Sequence, residues 1–164
     1  MVNRLLEDVR VDPSADDNHA IRLASMNGHL DVVHRLLEDA RVDPSIKNNH
    51  AIRLASENGH LDVVNRLLED ARVDPSNIDN LAIQHASQNG HLDVVQLLIS
   101  HGADPHANEN YAVRCASYYG HLEVVQRLID YGANIQDHDN YALRYACRSG
   151  YIEIVRLLLN SGAD

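Results

Sequence analysis

The sequence predicts an all-α fold, a solenoid of stacked antiparallel helix pairs, on three observations. Glycines recur at Gly28, Gly59, Gly90, Gly120 and Gly150, in steps of 31, 31, 30 and 30 residues. Each is preceded by Ala-x-x-x-Ala and followed by Val-Val or Ile-Val. Within each copy the apolar positions recur at helical spacing. A fixed period of roughly 20–50 residues marks an array in which every unit packs only on its neighbours.

The copy around Gly59 shows how one unit is built. Asn49 stands where an N-cap belongs, and Asn18, Asn80, Asn110 and Asn140 occupy the same place in the other copies. Ala51, Ile52 and Ala55 then give a first helix one apolar face, and the small alanines allow a neighbouring helix to come close. Gly59 follows at a corner that needs positive φ, which only glycine adopts without penalty. Leu61, Val63, Val64, Leu67 and Leu68 form the wider stripe of a second helix, with Asp62, Asn65, Arg66 and Glu69 outside.

The connections come in two forms. The early copies end Leu-Leu-Glu-Asp-Ala-Arg-Val-Asp-Pro, whereas the later form Ser100-His101-Gly102-Ala103-Asp104-Pro105 is one residue shorter and carries a glycine helix stop. Ala40-Arg41 and Ala71-Arg72 lack that glycine and are expected to end their helices in a looser turn. Pro13, Pro44, Pro75 and Pro105 forbid further helix and hold the preceding residue extended. Full repeats therefore start near 18, 49, 80, 110 and 140. Residues 1–12 read as a second helix without its first, a half repeat that either caps the array or was cut from a longer one. Ser161-Gly162-Ala163-Asp164 would lead naturally into a further repeat. All 164 residues form a single array.

The pattern Ala-x-x-x-Asn-Gly-His-Leu-Asp-Val-Val-x-x-Leu-Leu, with Gly102-Ala103-Asp104 after a later copy, resembles the ankyrin repeat over essentially residues 1–164. Two features depart from that family. Its Thr-Pro-Leu-His opening reads His19-Ala20-Ile21-Arg22 or Tyr141-Ala142-Leu143-Arg144 here, and the repeats fall short of the usual ~33 residues. The shortening falls between repeats, so the family's projecting β-hairpin should be stubby or reduced to a plain turn. Short repeats of this Asn-x-Ala-Leu-Arg kind resemble those of giant viruses of amoebae, which would place the protein in a host cytoplasm.

Fourteen basic against 24 acidic residues give a net charge of −10, which repels phosphate backbones and anionic membranes. Neither nucleic acid nor membrane is expected as a partner, and the protein partner should be neutral or basic. Lys47 is the sole lysine, as escape from ubiquitination would require, and genomic base composition explains that at least as well. Cys115 and Cys147 flank the recurrent alanine on opposite sides, point in different directions and read as reduced thiols. No apolar run approaches the ~18 residues of a membrane span.

Motifs of chemistry are missing: there is no P-loop, no His-Glu-x-x-His and no nucleophile elbow. Four of the eleven histidines, His29, His60, His91 and His121, follow corner glycines, where the resemblance implies a bond to the neighbouring connection rather than to a metal. Asp16-Asp17, and Asp137 with Asp139, lie in connections and read as solvated turn residues. Arg22, Arg53, Arg114 and Arg144 form a ladder on the first helices, interrupted by Gln84, which either pairs with the next repeat or binds a ligand. No catalytic residue, cofactor or metal is expected.

What remains is the displayed surface. The resemblance implies a concave binding side made of first helices and connections, faced by the two residues before each corner glycine. These are Met26 and Asn27, Glu57 and Asn58, Gln88 and Asn89, Tyr118 and Tyr119, Arg148 and Ser149, and they vary while their surroundings repeat. Tyr and Arg dominate binding hot spots, which makes Tyr118, Tyr119 and Arg148 the leading candidates, extended by Tyr111 and Tyr141. All seven tyrosines lie beyond residue 110, and there is no Trp or Phe. Tyr131 and Tyr145 are expected to fill the C-terminal core instead. The expected function is a monomeric, non-catalytic scaffold binding a protein on its concave face. The alternatives are a substrate adaptor for a host ubiquitin ligase and a structural spacer.

Overall fold

A computed structural model describes residues 11–163. The half repeat expected over residues 1–12 lies, but for Val11 and Asp12, outside them. Five helix pairs follow in order: α1 (Ala15–Met26) with α2 (Leu30–Leu37), α3 (Ile46–Glu57) with α4 (Leu61–Leu68), α5 (Asn77–Gln88) with α6 (Leu92–Ser100), α7 (Ala107–Tyr119) with α8 (Leu122–Asp130), and α9 (Asp137–Ser149) with α10 (Ile152–Asn160). The described residues contain no strand, so each connection is a plain turn. Each helix packs on its hairpin partner and on its equivalents in the adjacent repeats, which gives two parallel rows. The first-helix row is the more closely packed of the two.

Close packing of that row follows from the alanines. Ala51 and Ala55 are buried with Ile52 between them, and Ala82 with Ala86 and Ala112 with Ala116 repeat the arrangement. The second helices supply the larger side chains, Val63, Val64 and Leu67 in α4, all fully buried, while Asp62, Asn65 and Glu69 face solvent. One apolar core thus runs the length of the array, renewed in every repeat.

The corner after each first helix is a Schellman closure. His60 N–H bonds Ala55 O at 3.0 Å and Gly59 N–H reaches Ser56 O at 3.4 Å, with Gly59 at φ +73°. A second constraint is invisible in the sequence: a Cβ on Gly59 would lie 2.5 Å from Nδ1 of His91 in the next repeat. Gly28 and Gly90 are covered in the same way by His60 and His121, and Gly120 by the Tyr151 ring. Only glycine fits under those rings.

The recurrent asparagines do a different job from the expected N-cap. Asn18, Asn49, Asn80, Asn110 and Asn140 all have φ between +56° and +58°, and in the first, second and fourth repeats each closes a run of three left-handed residues that kinks the opening turn of its first helix. Left-handed backbone costs an L-residue about 1–2 kcal/mol, least for Asn and Asp. Asp16-Asp17-Asn18 and Asn48-Asn49 reflect that preference, while Lys47 and Glu109 adopt left-handed backbone without it. Each Asn N–H closes the turn on the residue four before it, as Asn49 does on Ser45 O at 2.8 Å. In the first four repeats the buried side-chain oxygen then accepts from the next repeat's connection: Asn18 from Asp43 N–H at 2.9 Å, Asn49 from Asp74 at 3.1 Å, Asn80 from Asp104 at 2.6 Å, Asn110 from Asn134 at 2.8 Å. The asparagine links repeats rather than capping a helix.

The Ala-Arg connections are held more firmly than expected. Arg41 forks onto Asp39 through Nε at 2.9 Å and Nη2 at 2.6 Å and reaches back to Val11 O at 3.2 Å. Arg72 does the same with Asp70 and Val42 O. A bidentate clamp replaces the missing glycine stop.

Candidate functional site

The last two first helices bring the tyrosines together. On α7, Arg114 and Cys115 lie three and four residues after Tyr111, and Tyr118 four and three after them, while on α9 Tyr141, Tyr145 and Arg148 are spaced by four and three, so each set shares a helix face. Because α7 and α9 pack side by side, the two sets meet. They enclose an open concavity of about 380 Å³, bounded on the side of the third repeat by Gln88.

The rings order one another. Tyr141 and Tyr145 stack with centroids 4.1 Å apart and planes at 23°. Tyr118 meets Tyr145 edge-on at 5.1 Å and Tyr119 at 4.8 Å. Such pairs add roughly 0.5–1.5 kcal/mol beyond the area they bury. Between the repeats the Arg114 guanidinium carbon lies 5.2 Å from the Tyr111 ring centre and 5.1 Å from that of Tyr141. Tyr118 and Tyr119 keep 41% and 46% of their surface in solvent, so the cluster is displayed rather than sunk into the core.

The electrostatics follow from burial and close pairing. Burial pushes the Cys115 thiol above its ordinary range, and its hydrogen bond with Tyr111 in turn raises the Tyr111 hydroxyl. Tyr141 is raised by its hydrogen bond with Tyr145. The lining holds no His and no carboxylate. It offers aromatic faces, hydroxyls and two guanidiniums.

Of the residues singled out in the sequence, Tyr111, Tyr118, Tyr119, Tyr141, Arg148 and Gln88 meet at this concavity. Asn89 turns its amide onto His85 O of its own helix at 3.0 Å, as Asn27 and Asn58 do on Leu23 and Leu54 at 2.8 Å. Met26 and Glu57 lie in the first two repeats. Their carbonyls accept from the corner histidines, Met26 O from His60 Nε2 and Glu57 O from His91 Nε2, both at 3.0 Å. His121 does the same to Gln88 O at 2.9 Å. The corner histidine thus grips the end of the preceding first helix, not the neighbouring connection.

Three members of the site were not among the sequence candidates. Arg114 belonged to the arginine ladder, Cys115 was read as a bland thiol, and Tyr145 was assigned to the core, yet their spacing from Tyr111 and Tyr141 already placed them on the same faces. Tyr131 is 41% exposed, against the expectation that it fills the core. In the ladder, Arg22 donates to Asp17 O at 3.1 Å and Asp16 O at 2.9 Å, and Arg114 to Asn108 O at 3.2 Å, so these two hold the left-handed turns of their own repeats. Cys147 is exposed where Cys115 is buried. Among the described residues no group of three or more His, Cys, Asp and Glu is arranged to hold a metal ion, and no helix is long and apolar enough to cross a membrane.

A wider groove of about 600 Å³ runs along the second-helix row between Leu92, Leu122 and Leu157. It has no aromatic lining, and its Arg156 is paired with Glu153 at 2.8 Å. The tyrosine concavity is the stronger candidate.

The fold defines a helical-repeat protein, a single row of hairpins stacked side by side. The family model for ankyrin repeats (3 copies) matches residues 1–79, 21–109 and 83–164. The chain belongs to the ankyrin-repeat family. No match is found among curated proteins.

Proposed function

We propose that the chain is a non-catalytic protein-binding scaffold whose partner docks on the first-helix face across the last two repeats. Membership of the ankyrin-repeat family supports the general role, since these repeats are protein-interaction modules. The observation that carries the location is the convergence of Tyr118, Tyr119, Tyr141 and Arg148 on one exposed concavity. Tyr and Arg are the side chains that dominate hot spots, each costing roughly 2 kcal/mol or more when truncated at an interface centre. The early repeats have less to offer: Asn27, Asn58 and Asn89 are tied to their own helices, and Glu57 lies 3.6 Å from His85. The closer packing of the first-helix row supports reading that side as the concave one. A net charge of −10 favours a partner that is neutral or basic overall and gives association a salt dependence. The short-repeat form, similar to that of giant viruses, supports action in a host cytoplasm.

Affinity capture from host lysate, quantified by mass spectrometry, tests this with three baits. Tyr118→Ala with Tyr119→Ala should recover the parent's partner at least about tenfold more weakly, the loss of one hot spot. Glu57→Ala should recover it unchanged, and the helical circular-dichroism spectrum should be the same for all three. Loss with Glu57→Ala but not with the tyrosine pair moves the site into the early repeats and sinks the assignment.

A further inference from the structure

The basic residues of this acidic chain are not spent uniformly. Arg35 with Glu38, Arg41 with Asp39, Arg66 with Glu69, Arg72 with Asp70 and Arg156 with Glu153 are ion-paired. Neither Arg114 nor Arg148 has a carboxylate partner among the described residues, and none lines the concavity they share. The chain's most aromatic surface is therefore locally cationic, against a net charge of −10.

The setting of Arg114 adds a second observation. Its guanidinium lies between the rings of Tyr111 and Tyr141 of consecutive repeats, which orient a cation without neutralising it. One Nη2 donor is used on Asn108 O, and Nε is shielded from solvent with no partner. A planar cation held by two rings, with donors to spare and water partly excluded, is arranged for an anion, and charge-assisted bonds are strongest in such surroundings.

We propose that Arg114, held between Tyr111 and Tyr141, forms with Arg148 a carboxylate subsite that takes an Asp or Glu side chain of the docked partner segment. This rests on the docking reading above and supplies the anchor chemistry within it. An apolar side chain beside that acid lies against Tyr118, Tyr119 and Tyr145. A single carboxylate is assigned rather than a phosphate, because the long-range field of a chain carrying −10 repels a dianion about twice as strongly as a monoanion. A partner that is neutral or basic overall satisfies both scales by presenting one local acid.

Selection of a displayed library of short random peptides on the full chain tests this without knowledge of the partner. Peptides that require Tyr118 and Tyr119 should be enriched in Asp or Glu next to an apolar residue. A fluorescein-labelled peptide from that set should bind Arg148→Gln and Arg114→Gln at least about tenfold more weakly, the loss expected for one hydrogen bond to a charged group. Replacing its acid by Gln should weaken it equally, with no further loss on the arginine variants. Arg148 is exposed, so its variant reads out the subsite even if Arg114→Gln disturbs the turn at Asn108. Tyrosine-dependent peptides without acid enrichment, or indifferent to both arginines, overturn the carboxylate subsite and leave the docking reading standing. Tighter binding when the acid is replaced by phosphoserine overturns the carboxylate assignment. A selection in which every peptide still binds Tyr118→Ala with Tyr119→Ala, or which yields no peptide, overturns the docking reading itself.

Discussion

Replacing Gly59 by alanine separates the two constraints that act on a corner glycine. The first is conformational: at φ +73° an L-residue costs about 1–2 kcal/mol. The second is steric, because the new Cβ would meet His91 Nδ1 at 2.5 Å, Cε1 at 2.6 Å and Cγ at 2.9 Å. Relieving it means moving a ring anchored by its 3.0 Å bond to Glu57 O, at a cost of about 1 kcal/mol for the bond and a further ~1 kcal/mol or more for overpacking. Gly59→Ala should thus destabilise by about 3 kcal/mol. In a His91→Ala background, where no ring covers the site, the same change should cost only the conformational ~1 kcal/mol. The coupling of about 2 kcal/mol is within the range found for residues in contact. With a urea slope of ~2 kcal/mol/M it separates the two midpoint shifts by about 1 M. Gly150→Ala provides a control, since at φ +78° its Cβ would meet nothing within 4 Å. Equal losses for Gly59→Ala in both backgrounds would show that the histidine ring does not press on the corner.

Asn49→Ala should cost about 2 kcal/mol or more, because it strands Asp74 N–H and forces alanine to φ +56°, whereas Asn49→Asp keeps both the acceptor and the left-handed preference and should cost much less in the same urea titration. Arg41 holds the Asp39 carboxyl down to about 2, through its side-chain bonds first. A folded-state value below the unfolded 3.8 gives stability that is present above that value and lost as pH falls through about 2. Arg41→Gln should therefore unfold more easily than the parent at neutral pH, by a small margin because the pair is solvent-exposed, and the two should converge in acid. A gap that persists at pH 2 would show that Arg41 acts through its bond to Val11 O instead.

How much of this was legible in the sequence depended on whether the cause was local. The helix pairs, their faces and the glycine corners follow from spacing within one repeat, and Ile52, Val63 and Leu67 are buried as that spacing required. Whatever one repeat does to the next was hidden. His91 covers Gly59 from 32 residues away, and nothing in either residue's neighbourhood announces it. Asn49 was ambiguous for a physical reason: asparagine is favoured both at N-caps and in left-handed backbone, and only the position of Asp74 decides between them. Arg41 looked like the absence of a glycine stop, while its fork onto Asp39 depends on a turn geometry that composition does not carry. In the site, the variable positions pointed to Tyr118, Tyr119 and Arg148. Tyr145 was lost to the core because an aromatic inside an apolar pattern is usually core, and Arg114 was left between two roles. Helical spacing from Tyr111 and Tyr141 would have recovered both.

The most direct test of the central claim is a hydrogen-exchange footprint of the full chain with and without its captured partner. The account predicts that added protection is greatest in Ala107–Tyr119 and Asp137–Ser149, strongest towards the corner ends near Tyr118 and Arg148, and slight in Leu61–Leu68. Protection confined to the second-helix row, or to Ala15–Met26 and Ile46–Glu57, would contradict it.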